Sequence, residues 1–444
     1  SLAEPGAWTT ISLYANGTDY TFNDGLSNQI AYYRIGVETG NYEAGDSIVT
    51  SLTYTTGGFD GVARVTGYTS QTVVSADVLS PFGGVSASLL WKESLWSDRR
   101  GWPSAVALYG GRLWWAGKDH IDGSVSDAYN VFDAATEGDS GPISRSIGFG
   151  PVDTINWLLP MARLIVGGQA AEISARSSSF DEPLTPTNFN LKDASTYGSA
   201  PVPPVRVDTL GIFVDRSRQM LMRLAYDVAT NDYATDDLTQ LNPEIAEVGG
   251  GFVRLAVQRR PDTRIHCLRA DGTVAMLVFD KAENVVCWCE IETNGVVEDV
   301  LVMPGTEEDE ISYLVRRTIN SADVRSWEKW AMQSQCVPGD LVRLADAHVI
   351  YDGAPTVTIT GLAHLEGEEV VCWADGQDRG TFTVSGGEIT LPVAVSKACV
   401  GLGYEATYRS MKPAHGSALG TMLSQKQRVC HLGLVLADTH AQGL

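Results

Sequence analysis

No stretch of this 444-residue chain is apolar for long enough to cross a bilayer as a helix, and basic residues are scarce. Against 54 Asp and Glu stand only 32 Lys and Arg, a formal charge of −22, with a sequence pI near 4.6. That balance lacks the positive footprint by which ordinary nucleic-acid binders neutralise phosphates. The same sign suits a surface past which DNA slides, because like charges raise the energy of every stationary contact; simple solubility is the plainer reading. Cysteine is missing before Cys267, and the seven from there onward have none of the compact spacing of secreted disulfide scaffolds, so folding in a reducing compartment fits best. The opening SLAEPGAWTT has no Met, charged n-region or apolar h-region, and reads as a processed product or an ordered fragment without a signal peptide. Strong helix candidates are few. Catalytic motifs are missing as well: there is no G-x-S-x-G elbow, H-E-x-x-H or P-loop, and GFGPVD at 148–153 breaks the G-x-G-x-x-G pattern at Asp153. No enzyme activity, catalytic residue, metal or cofactor is therefore expected.

What is present is β-prone. With 44% hydrophobic and 19% charged residues the composition is that of a soluble globular protein, and the length calls for two or three domains or a β-propeller. Over 1–98 short β-prone runs alternate with Gly, Asn, Asp and Thr clusters, as at 11–22 and 61–79, predicting small antiparallel sheets with turns at residues such as Gly67. From about residue 99 to 340 an apolar strand recurs every 43 to 51 residues or so, the period of propeller blades. The recurrences are GRLWWAG (111–117), ARLIVGG (162–168), TLGIFVD (209–215), FVRLAVQ (252–258) and VEDVLVM (297–303). The span Phe252 to Glu292 reads as one four-stranded antiparallel blade. Pro-rich connections at 181–189 and 199–205 mark loops. A further β-rich domain, 341–444, is predicted from TVTITGL, EEVVCWAD, GTFTVSG and EITLPV. The expected fold is all-β, a propeller-like body with additional small antiparallel β domains.

Few residues carry a pattern that chemistry would need. Cys287 and Cys289 flank Trp288 on one strand face, where His266 or Cys267 on another strand would have to complete a zinc site; buried inert thiols are the simpler reading. Cys430 and His431 are adjacent and project to opposite faces. Carboxylates cluster at Asp232, Asp236 and Asp237 and at Glu307, Glu308, Asp309 and Glu310, without a Ca²⁺-loop pattern, and the second run reads as a solvated hairpin tip. Trp114 and Trp115 are neighbours on a strand, so one faces a core and the other faces outward or a neighbour. Trp102, Trp114 and Trp115, with Arg99 and Arg100, are the candidates for packing between blades or subunits, the arginines pairing with acids of an adjacent copy.

The segment SDRRGWPSAVALYGGRLWWAG at 97–117 resembles a signature of phage and prophage tail proteins. In the same order follow EPLTPTNF (182–189), YGSAPVPPV (197–205), MRLAYD (222–227), DLTQLNP (237–243), RADGTVAMLVFDKAENVVCW (269–288) and TITGLAHLEGEEV (358–370). Together they resemble the tail nozzle, or packaged-DNA stabilisation, proteins of short-tailed bacteriophages, over residues 90–420 or so. The resemblance implies a structural virion protein of the tail, assembled in the host bacterial cytoplasm. It implies a homo-oligomeric ring of six copies below the portal, meeting the tail adaptor and other tail proteins such as fibres, with DNA passing the lumen without specific binding. Members of that family are longer at both ends, which leaves the docking surfaces toward the adaptor outside this chain. The alternative is a receptor-binding or glycan-cleaving β-propeller of a phage tail, suggested by the aromatic content and scattered acids; a cellular scaffolding propeller is the third class.

Overall fold

The computed structural model describes residues 61–82, 91–134, 136–148, 154–177, 182–280, 282–283, 285–408, 416–417, 420–421, 428, 431 and 433. The expected strand at 11–22, most of GFGPVD and Cys430 lie outside the described residues. The chain divides into two compact units, Ser1–Ser97 and Asp98–Leu444. Regular structure is almost wholly strand: among the described residues helix is confined to one turn, α1 (Glu244–Glu247), and two short 3-10 turns.

In the first unit β1 (Val62–Ser70) and β2 (Val73–Ser80) form an antiparallel hairpin. Its turn falls at Gln71 and Thr72, not at Gly67. Gly67 sits inside β1 at a register irregularity after Val65, where a residue without a side chain lets the strand bulge.

The second unit begins with a row of antiparallel meanders. The first consists of β3 (Ala105–Tyr109), β4 (Arg112–Gly117), β5 (His120–Gly123) and β6 (Ile143–Ser146). The second contains β7 (Ile155–Pro160), β8 (Leu164–Gly168), β9 (Glu172–Arg176) and β10 (Asn190–Ser195). The third runs β11 (Val205–Val207), β12 (Leu210–Val214), β13 (Leu221–Asp227) and β14 (Asp232–Asp237). The fourth is β15 (Phe252–Gln258), β16 (Arg264–Arg269), β17 (Val274–Asp280) and β18 (Val285–Ile291), the four-stranded unit read from the sequence. A three-stranded fifth has β19 (Val296–Met303), β20 (Glu310–Ile319) and β21 (Ala322–Lys329). The last sheet is not sequential. Its order is β22 (Asp346–Thr360), β25 (Glu388–Leu402), β23 (Glu369–Ala374), β24 (Gln377–Thr383), so the two longest strands pair with each other and β25 reaches past β22 to β23.

Each pair of successive meanders shares its own apolar core, and side-chain alternation explains how one strand serves two of them. In β8, Leu164 and Val166 pack with Trp114 and Ile121 of the first meander, while Ile165 between them packs with Phe213 and Met222 of the third. In β12, Ile212 and Val214 join Phe252 and Ile265 of the fourth, and Phe213 turns back to the second. Leu268 and Val274 then meet Val297, Val300 and Tyr313 of the fifth. Strands buried on both faces must be apolar without interruption, and that is why ARLIVGG and TLGIFVD stand out as continuous runs. Packing is close enough to dictate a glycine: a Cβ on Gly167 would lie 2.0 Å from Cε2 of the buried Trp157.

The recurring strands are not equivalent. The first three recurrences are second strands of their meanders (β4, β8, β12), whereas FVRLAVQ and VEDVLVM are first strands (β15, β19). The period survives because meander lengths are similar, but its phase slips by one strand. Among the described residues no core cluster joins the fifth meander to the first, and no closed barrel or propeller is formed.

Candidate functional site

Trp114 is fully buried, stacked on Phe189 at 5.5 Å and 21°, with its indole N–H donated to the Tyr109 carbonyl at 3.0 Å. It therefore holds the first meander against the second. Trp115 projects to the other face, half-buried, level with Val106 on one side and Asp122 on the other. Trp102 is exposed and donates its indole N–H to Asp98 at 2.8 Å. Arg99 and Arg100 lie on an exposed turn beside it. The three tryptophans thus occupy three different settings.

Beside Trp115, Asp122 is 1% exposed, with Ser144 of β6 directly opposite it. Burial pushes its pKa above the usual carboxylate range, against the weaker opposing pull of Ser144, His120 and Arg100.

Four buried charged groups anchor loops. Arg112, which opens β4 after the Gly110-Gly111 turn, donates to the carbonyls of Ser124 (2.6 Å), Asp139 (2.7 Å), Ser140 (3.2 Å) and Gly141 (2.5 Å). Burial pulls its pKa down from the ordinary arginine value. Arg269 binds the Ile245 carbonyl (3.0 Å), Thr273 (2.7 Å) and Glu290 (2.7 Å). Arg317 meets both oxygens of Glu328 at 2.7 Å in a two-pronged pair and donates to the Asn294 carbonyl in the β18–β19 connection. Asp215 accepts the backbone N–H groups of Ser217, Gln219 and Met220 and so fixes the β12–β13 turn.

His266 is also a structural group. One ring nitrogen is 2.7 Å from the Tyr313 hydroxyl and the other 3.3 Å from Oε1 of Gln258, with the Trp330 ring edge-on at 5.3 Å. Burial drives its pKa down to about 4, assisted by Arg264. Cys289 shares its sheet face across Met276, whereas Cys267 is fully buried on the other face, its thiol pushed far up by desolvation. Cys287 and Cys289 are exposed, and among the described residues no three His, Cys, Asp or Glu side chains gather as metal ligands.

The acidic runs do structural work too. Asp236 pairs with Arg223 at 2.5 Å, and Asp237 accepts the backbone N–H of Thr239 at 2.7 Å. The 307–310 run is more than a solvated tip: Asp309 accepts the N–H groups of Arg259 and Arg260, and Glu308 accepts that of Gln333 at 2.8 Å. This connector therefore ties the β15–β16 turn to the segment after β21.

Asp232 differs from these because it borders an open space. Its side chain, 5% exposed, faces Arg163 at 3.0 Å, Arg176 at 3.4 Å and Lys192 at 3.9 Å. Arg163 also donates to the Asn231 carbonyl at 3.0 Å and lies over the Tyr226 ring at 5.7 Å. Here the outer strands of the second and third meanders, β10 and β14, bound a groove of about 430 Å³ whose walls include Lys192, Asp193, Ser195, Tyr197, Thr230 and Asp232. Sequence reading singled out Asp232 but not its partners, since Arg163, Arg176 and Lys192 come together only through strand pairing.

No protein-family model and no curated protein matches this chain. Among solved structures it is similar to a Bacteroides fragilis protein described as a candidate exported protein, at 9% identity and a TM-score of 0.26 over 50% of this chain and 68% of that one. A likeness of that degree carries no argument about function. Four buried charged groups, Arg112, Arg269, Arg317 and Asp215, anchor loops, and Asp232 lines one groove.

Proposed function

We propose that this chain is a structural subunit of a short-tailed bacteriophage tail, part of a ring-shaped nozzle that conducts and retains the genome. The observation that carries the proposal is the use of buried charge: four guanidinium and carboxylate anchors fasten loops to the first, third, fourth and fifth meanders, as suits a stiff wall. Serially shared cores add to that stiffness, and the ordered run of tail-protein-like segments supplies the biological setting. An excess of 22 negative charges suits a wall past which DNA moves. In this reading six copies close a ring by head-to-tail contacts, each copy using two different patches, and the ring meets an adaptor above and fibres beside it. Electron microscopy of particles carrying this chain is the test. Density for it in a ring on the tail axis is the expected result; density only in peripheral fibres would refute the proposal.

A further inference from the structure

Each meander inside the row buries both faces of its sheet, one against the meander before it and one against the meander after. The first and fifth have one neighbour each in the row, and a soluble repeat array closes such ends with a polar outer face. Neither end is capped in that way. On β3 and β4, Ala105, Ala107 and Trp114 turn inward, which sends Val106, Leu108, Leu113 and Trp115 outward. Val106 stands directly opposite Trp115 and Leu108 opposite Leu113, so the four make one patch, with Leu108 63% exposed. The fifth meander repeats the arrangement. Val300, Tyr313 and Val315 turn inward, while Leu301, Met303, Leu314 and Trp327 lie outward, Leu314 directly opposite a Trp327 that is 60% exposed. On the same face, ion pairs of Glu298 with Arg316 and Arg325 and of Glu310 with Lys329 rim the patch. An apolar centre with an aromatic ring inside a charged rim is the anatomy of a protein–protein contact. Among the described residues neither patch belongs to a shared core.

We propose that the two patches are the halves of one interface: the outer face of the first meander of one copy packs on the outer face of the fifth meander of the next. Sheet on sheet is how this chain already joins its own meanders, so the contact continues the row across the gap between copies. A second copy also supplies the missing cover at both ends with a single kind of contact. Pairing of first face with first face would leave the fifth uncovered. The assignment rests on the ring reading for its direction from copy to copy, and on the two uncapped faces for its residues.

Sedimentation velocity and light scattering on the whole chain and on two charge variants test it. Leu108→Glu spoils the first face and Leu301→Glu the fifth. Both side chains are exposed, so parental melting temperatures are expected, and Val106→Glu or Met303→Glu replaces a variant that loses its own. The parent is expected to associate beyond the dimer by about 100 µM, and each variant alone to stay monomeric, weakened about a hundredfold or more. An equimolar mixture of the two variants should form dimers and stop there, since it holds one intact face of each kind. A monomeric parent, a variant that associates like the parent, or a mixture that stays monomeric overturns the assignment. The nozzle reading answers to microscopy instead. An axial ring together with variants that still associate would sink this contact and leave the nozzle standing, and the expected association with density only in fibres would do the reverse.

Discussion

His266 is fully buried between Tyr313, Gln258 and Trp330, so folding takes up its neutral form. Its folded pKa of about 4 lies below the ordinary 6.5, so the unfolded chain binds the extra proton first as pH falls. The stability tied to this residue is complete above pH 6.5 and is lost between there and pH 4, a change of about 3 kcal/mol over the window. Urea unfolding at several pH values should show this slope in the parent chain and a shallower one in His266→Gln; parallel slopes would show that His266 does not set it. Such a role was not legible in the sequence. RIHCLR announces a strand, but the partners of its histidine lie 8 and 47 residues away.

At the level of single elements, the connection between β5 and β6 is long and carries little regular structure, yet residues 139–141 converge on one guanidinium. Arg112→Met keeps the length of the stem and removes all four hydrogen bonds to carbonyls. The expected cost is on the order of 2 kcal/mol or more, because the carbonyls lose a charged donor in a site with little water. Limited proteolysis should then cut within 124–141 faster than in the parent; an unchanged cleavage map would mean the loop is held by other contacts. Strand positions were largely readable here. GRLWWAG gave a strand and TVTITGL, EEVVCWAD and EITLPV gave three more, because alternation and turn residues are local signals. What could not be read was which strand in each meander recurs, since β8 and β12 are apolar on both faces whereas β15 and β19 are not. The outer strands β10 and β14 were equally opaque, being polar and supplying a groove whose two walls are about 40 residues apart.

For the whole molecule the acid excess sets the behaviour toward DNA. A chain with a formal charge of −22 should show no retention of duplex DNA near physiological salt, at about 0.15 M. Filter binding or gel shift checks this directly, and retention that falls steeply with added salt would reveal a concentrated basic patch and remove the sliding-surface argument. Strand patterning made the all-β class visible from the start, and composition the acid excess. Whether the row of meanders closes was not visible, because closure depends on which faces the first and last sheets present, and side-chain period alone does not encode that.

Serial sharing of cores also shapes how the molecule comes apart. Each junction belongs to two neighbours, so a lesson from linear repeat arrays applies: melting can begin at an end sheet and halt at the next joint, leaving the interior intact. A flaw at Gly167 would therefore weaken one link of this chain of sheets rather than the whole row, and fraying amides near β3 or β21 would exchange with solvent well before those of β12.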